Sequence, residues 1–161
     1  MTDITYRQIG VIRSPFAEAK DTPIQPAGAV GVNGTVEVFQ VYTPALKDLE
    51  GFSHIILLYH FHLSAGYSPS VKPFLDGEHR GLFSTRSPRR PNPIGLSVVR
   101  LVGIEDNVLH IQDIDIIDGT PLLDIKPYVP DFDIREVQRF GWLENNIHKL
   151  RDAKDDGRFS K

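Results

Sequence analysis

Cysteine is absent from the 161 residues, which excludes disulfides, thiol nucleophiles and every cysteine-ligated zinc site. That fits a reducing cytoplasm. Excess basic charge is absent too: 18 Lys and Arg stand against 21 Asp and Glu, a net charge of −3. The field of the whole protein therefore does not draw it to nucleic acid, and any such affinity has to come from a local basic patch. This counts against a general nucleic-acid coat protein. No apolar run approaches the length of a membrane span, and Met1-Thr2-Asp3-Ile4-Thr5-Tyr6-Arg7 lacks the basic-then-apolar layout of a signal peptide. The expectation is a cytoplasmic protein with no membrane partner. Gly28, Gly31 and Gly34 are not followed by the Gly-Lys-Ser/Thr of a P-loop, and they open no helix after a strand, so they read as hairpin punctuation. The length suits one domain with its own core.

What is present in abundance is proline and arginine within one short stretch. Between Phe83 and Ser97 lie Arg86, Arg89 and Arg90 interleaved with Pro88, Pro91 and Pro93. Each proline fixes φ and removes an amide donor, so the segment is expected to be a stiff loop, neither helix nor sheet interior. Proline also restrains the residue before it, which applies to Ser87, Arg90 and Asn92. Guanidinium groups on a pre-shaped backbone lose less entropy when they grip a phosphate or carboxylate through paired hydrogen bonds. The bland alternative is a solvated basic loop, and the three prolines favour a binding loop over it.

Elsewhere the chain reads as many short strands. Residues 4–12 are rich in β-branched and aromatic side chains and form a first expected strand, with a second at residues 35–39. Residues 44–50 suggest a short helical turn. Residues 53–62 are the most apolar run and read as a strand buried on both faces, carrying His60 and His62 near its end. With no convincing third ligand nearby, these histidines are expected to hydrogen-bond rather than to bind metal. Residues 96–102 make another strand. Residues 108–117 alternate, but the apolar parity slips between Ile111 and Ile114, which predicts a bulge. Without βαβ alternation, the pattern predicts an all-β fold, a barrel or strongly curled sheet. Residues 1–140 are read as the barrel domain. Residues 141–161 are read as a short C-terminal helix, with Leu143, Ile147 and Leu150 on one side, and a polar tail expected to fray.

A second constellation lies at Asp115-Ile116-Ile117-Asp118-Gly119-Thr120-Pro121 and continues through Asp124, Lys126 and Tyr128 to Pro130. Alone, Asp118-Gly119 is an ordinary turn pair. Taken with Ile9 to Phe16, Phe52-Ser53-His54 and the arginine segment, it closely resembles the TsaA-like (TrmO) family of S-adenosylmethionine-dependent tRNA methyltransferases, in collinear order over most of the chain. The resemblance implies a single-sheeted β-barrel working as a homodimer, with S-adenosylmethionine as cofactor. It implies N6 of a threonylcarbamoylated adenosine beside the tRNA anticodon as methyl acceptor. It places the cofactor against Gln25, Pro26, His62, Leu63, Arg86, Leu96, Asp115, Ile116, Ile117, Asp118, Gly119 and Thr120. Asp124, Lys126 and Tyr128 become the candidate catalytic residues, Lys126 and Tyr128 as groups that orient the modified base. Arg89, Arg90 and Asn92 become the candidate contacts to the anticodon loop, since RNA loops present splayed bases and backbone to a fixed basic surface.

The implied chemistry is an in-line displacement at a sulfonium methyl, which asks for alignment more than for an acid. Two other readings compete with it: a non-catalytic RNA-binding barrel, and a regulatory barrel that keeps S-adenosylmethionine as a ligand. Titration with the cofactor separates all three, because the first alternative binds none and the second binds it without methyl transfer.

Overall fold

Strands with one apolar face need a surface to bury it against, and here they find it in one another. In the computed structural model, which describes residues 1–160, six strands close into a barrel. They are β1 (Gly10–Arg13), β2 (Asn33–Val38), β3 (His54–His60), β6 (Ile94–Glu105), β7 (Val108–Gln112) and β8 (Thr120–Pro127). Two short strands, β4 (Ser70–Val71) and β5 (Arg80–Gly81), pair outside the barrel. The order around the barrel is β1-β2-β7-β6-β3-β8, with every neighbouring pair antiparallel, so no edge is left open.

Inward rows follow the period of two. Ile55, Leu57 and Tyr59 of β3 face Ser97, Val99 and Leu101 of β6, with Ile12, Val36, Leu109, Ile111 and Leu122 completing the wall. Each large aliphatic buried in this way contributes roughly 1.5–3 kcal/mol. Two register shifts alter which residues face inward. In β6 the shift lies between Leu101 and Gly103 and turns Ile104 toward the core. In β8, opposite the Leu58–Tyr59 step, Leu122 points inward, but past the shift it is Ile125 that packs on the core. Asp124 and Lys126, opposite Leu58 and Ile56, are thereby turned to the outer wall.

Several expected elements take a different form. The first strand is only Gly10–Arg13, because β2 turns into a 3-10 helix at Gln40 and leaves residues 1–8 exposed without a partner. The apolar run at residues 53–62 is buried on alternate positions, not on both faces. The 44–50 turn is two 3-10 helices, Gln40–Leu46 and Leu49–Gly51. The parity slip after Ile111 is no bulge: β7 ends at Gln112 and Asp113 takes a left-handed conformation, φ 67°, which redirects the chain. Helical structure near the C-terminus is two 3-10 turns, Gly141–Leu143 and Ile147–Lys149, broken where Asn146 Nδ2 donates to Trp142 O. The one α-helix among the described residues is α1 (Pro130–Asp133). No helix of the described residues is long and apolar enough to cross a membrane.

The polar tail docks instead of fraying as far as Ser160, Lys161 lying outside the described residues. Phe159, 6% exposed, packs with Val71, Leu82 and Phe74, and the Arg158 guanidinium lies 5.0 Å from the Phe74 ring centre. Asp21 N–H donates to Asp155 O at 2.7 Å and Asp155 N–H to Thr22 O at 2.8 Å. Trp142 Nε1 donates to Ser84 O at 2.8 Å.

Candidate functional site

One end of the barrel gathers the C-terminal ends of β1 and β3 and the N-terminal ends of β6 and β8, because antiparallel pairing sets Ile12 against Thr120 and His60 against Ile94. The long connections at residues 14–32, 61–93 and 113–119 all start or finish at this mouth. The last of them crosses it. Ile114 N–H donates to Val32 O at 3.4 Å beside β2, Asp118 N–H reaches Phe16 O at 2.7 Å and Gly119 N–H reaches Ile12 O at 2.9 Å. Between these anchors Ile114 and Ile116 drop into the core and plug the barrel. Gly119 sits at φ 76°, where a side chain is strained.

Asp115, between the two plugging isoleucines, is half-buried and turned toward β6. Ser97 Oγ donates to its Oδ1 at 2.6 Å, and the Tyr59 hydroxyl lies 3.0 Å from Ser97 Oγ. Tyr59 is a buried core residue, so a hydrogen-bonded file runs from the barrel interior to the mouth. Gly95 makes room for it: a Cβ at this position would overlap the Tyr59 ring. Burial pushes the Asp115 carboxyl up to about 7, against the opposing pull of the Ser97 hydrogen bond and the Arg86 charge. Burial, and then the Asp115 charge, also raise the Tyr59 phenol, which stays neutral.

Of the residues singled out in the sequence, several meet here. Arg86 Nη1 donates to Gln25 Oε1 at 2.8 Å across 61 residues of chain, and the Arg86 charge acts on both Asp115 and Tyr59. Gln25 precedes the 3-10 turn Pro26–Gly28. His62 Nδ1 lies 3.2 Å from Thr120 Oγ1, which also donates to Ile117 O at 2.7 Å. Burial, and then the nearby His60, hold the His62 imidazole below its ordinary pKa. Asp118 Oδ1 accepts from Ser14 N–H at 3.1 Å, and its Oδ2 is 3.8 Å from Arg13 Nη1. Leu63 is exposed beside His62.

Others lie apart from this cluster. Leu96, 47% exposed, is opposite Leu58 on the outer wall of the barrel. The Ile116 side chain is core, so only its backbone is available to a ligand. Asp124 and Lys126 pair with each other at 2.7 Å on the outer wall, and Tyr128 sits against His54 at the opposite end of β3. Lys126 lies six strand steps from Thr120, about 20 Å of extended chain. In the arginine loop, Arg90 Nη1 donates to Thr85 O at 2.8 Å and Ser87 O at 3.3 Å, and its guanidinium lies 5.6 Å from the Phe83 ring centre. Arg90 thus braces its own loop. Arg89 is half-buried and Asn92 exposed.

Tyr59 and Ser97 carry no role in the sequence reading. A serine in the core-facing row of a strand was the available signal, because a buried hydroxyl has to find a partner.

The residues present suit a ligand such as S-adenosylmethionine, which carries a sulfonium cation and a carboxylate. The mouth offers the carboxylates Asp115 and Asp118 for the first, and the exposed Arg86 guanidinium with one donor on Gln25 for the second.

Residues 11–134 match the family model of the tRNA-methyltransferase O N-terminal domain. A probable S-adenosyl-L-methionine-binding protein of Pyrococcus abyssi is 60% identical over 156 residues, covering 97% of this chain and 85% of that protein. A tRNA (adenine(37)-N6)-methyltransferase of Escherichia coli is 41% identical over 140 residues, 81% of this chain and 60% of that protein. The crystal structure of TrmO from Pseudomonas aeruginosa superposes with a TM-score of 0.73 at 40% identity, over 88% of this chain and 63% of that one. The chain therefore spans about three fifths of the length of these two relatives, the Escherichia coli methyltransferase and the Pseudomonas aeruginosa TrmO.

Proposed function

This chain belongs to the tRNA-methyltransferase O family, and from that premise we propose that it transfers the methyl group of S-adenosylmethionine to N6 of an adenosine in tRNA. The observation that carries this reading is the meeting of Gln25, Arg86, Asp115, His62 and Thr120 at one barrel mouth from three separate connections. When bound, S-adenosylmethionine supplies an activated methyl group on a cationic sulfur. Arg86 and Gln25 hold its carboxylate, the segment from Asp115 to Thr120 and the His62-Leu63 turn enclose the rest, and Ile114 and Ile116 close the floor against water from the barrel. Fixing donor and acceptor in line is the main source of acceleration in such a transfer.

The acceptor in this proposal is the threonylcarbamoylated adenosine beside the anticodon. Its added carboxylate gives the arginine loop an anion to grip, and a site built for that pairing is left with unpaired basic groups when the carboxylate is missing. Arg89 and Asn92 face the anticodon loop, while Arg90 acts by stiffening the segment that presents them. Within one chain Asp124, Lys126 and Tyr128 are too distant from the mouth to touch the reacting atoms, and we assign them to the outer surface used by RNA or a second subunit. The working form is a homodimer in the cytoplasm. It is supported by residues 130–140, an arm exposed along its whole length and carrying Phe132, Ile134, Val137 and Phe140 at 70, 60, 62 and 48% exposure. Such a row of apolar side chains asks for a cover.

The test is incubation with labelled S-adenosylmethionine and two tRNA pools, one from cells that make the threonylcarbamoyl group and one from cells that do not, followed by digestion to nucleosides. The proposal expects label on N6 of adenosine, at least about a hundredfold higher in the first pool. Equal labelling removes the acceptor assignment. Cofactor binding without label in either pool favours the regulatory-barrel reading.

A further inference from the structure

A methyl group that arrives on N6 replaces a hydrogen, so one proton has to leave the nitrogen. The N6 lone pair is delocalised into the adenine ring, more so when the nitrogen also carries an acyl group, which makes the neutral nitrogen a poor nucleophile. A base at the mouth removes that difficulty. Three carboxylates belong to the segment that crosses the mouth. Asp113 Oδ1 accepts from Gly31 N–H at 2.7 Å, and Asp118 is tied to Ser14 N–H and Arg13. Both are thereby engaged in shaping the connections. Asp115 differs, since its hydrogen bond comes from the barrel interior through a file of side chains, Tyr59 to Ser97 to Asp115.

We propose that Asp115 is the catalytic base of the transfer and that Ser97 and Tyr59 are positioning residues that hold its carboxylate for the N6 proton. This rests on the methyltransferase reading above. In the step, Asp115 takes the N6 proton as the bond from N6 to the methyl carbon forms and the carbon–sulfur bond breaks, its electron pair passing to sulfur to give S-adenosylhomocysteine. The proton on Asp115 then passes to solvent.

The direction of the file supports the assignment. With the carboxylate ionised, Ser97 donates to Asp115 and Tyr59 donates to Ser97, so each hydroxyl hydrogen has an acceptor and the charge at the far end is stabilised. Protonation removes the charge that this file stabilises. The charged and titratable groups that face Asp115 are Tyr59 from β3 and Arg86 from the connection before β6. Arg86 favours the ionised form, and burial disfavours it more strongly. A carboxyl balanced between these influences titrates close to the pH at which it must accept a proton and release it again.

The experiment begins with the carboxyl carbon of Asp115 followed by carbon-13 NMR in the full chain without ligand, in wild type and in Ser97→Ala. The expected midpoint is near 7, moving up by about one pH unit when the serine hydroxyl is removed. The acid limb of kcat/KM is expected to show the same midpoint and the same movement. Asp115→Asn is expected to lose about a hundredfold or more in kcat at saturating S-adenosylmethionine, beyond whatever change calorimetry shows in cofactor affinity. An ordinary aspartate midpoint, turnover of Asp115→Asn within threefold of wild type, or a loss confined to cofactor affinity each overturns the assignment. Wild-type protein that methylates no tRNA removes the methyltransferase reading itself, and the base falls with it. Tyr59→Phe provides a check on the file: its kcat/KM profile is expected to shift the same way as that of Ser97→Ala, and an unmoved profile takes Tyr59 out of the relay.

Discussion

Asp115 ionises against its surroundings, and this gives stability a pH dependence of known sign. The folded protein holds the carboxyl at about 7, well above its ordinary value of 3.8, so the folded form binds this proton more tightly than the unfolded form. The resulting stabilisation is complete below the ordinary value and is lost as pH rises toward 7. Asparagine at this position carries no such loss. The thermal advantage of Asp115→Asn over wild type is therefore expected to grow between pH 5 and pH 8, and calorimetric melting of both proteins across that range measures it. A difference that stays flat places the carboxyl in water. Arg86 makes the opposite case, as it is exposed and its one side-chain partner is Gln25. Arg86→Ala is expected to weaken S-adenosylmethionine about tenfold or more, through loss of a charge-assisted grip, while unfolding free energy stays within about 0.5 kcal/mol. The arginine loop was legible in the sequence because three prolines marked it, whereas the pairing of Arg86 with the cofactor was implied by the family resemblance. Tyr59 and Ser97 were not legible, because the polarity of one serine among aliphatics carries little weight until strand pairing shows it facing inward.

At the scale of elements, the tail acts on the mouth through the connections it ties down. Lys154 bridges to Pro23, two residues before Gln25, and Trp142 bonds to Ser84, two residues before Arg86. Phe159 fills a small cluster between β4 and Leu82. Phe159→Ala is expected to remove about 3 kcal/mol from that local packing. Amide hydrogen exchange should then quicken at residues 70–75 and 82–85 and leave β3 and β6 protected. Uniform loss of protection in the barrel contradicts a local role. Five of the six barrel strands were readable from β-branched and apolar patterning, while β8 was not, and their number with the missing helices left a barrel or a strongly curled sheet. Three features escaped for physical reasons. A register shift in β8 depends on its partner strand, so nothing in the β8 sequence itself turns Asp124 and Lys126 outward. The apolar stripe at Leu143, Ile147 and Leu150 matched a helix, yet local side-chain bonds divide it into 3-10 turns. The polarity of residues 151–160 masked the one side chain, Phe159, that anchors them.

For the whole molecule, the exposed arm at residues 130–140 is the surface least suited to a lone chain in water. Light scattering is expected to give twice the 18.1 kDa chain mass, and Phe132→Asp with Ile134→Asp to halve it. An unchanged dimer would move the interface elsewhere, and a wild-type monomer would remove it. The central claim is that this molecule works at one barrel mouth, with the outer wall at the other end of β3 taking no part in holding the cofactor. The most direct measurement is calorimetric titration of S-adenosylmethionine into wild type, Arg86→Ala, Thr120→Val and Lys126→Ala under identical conditions. The account predicts saturable binding in wild type, affinity reduced about tenfold or more by the Arg86 and Thr120 substitutions, and a Kd for Lys126→Ala within about twofold of wild type. Unchanged affinity in both mouth variants together with loss in Lys126→Ala would contradict it.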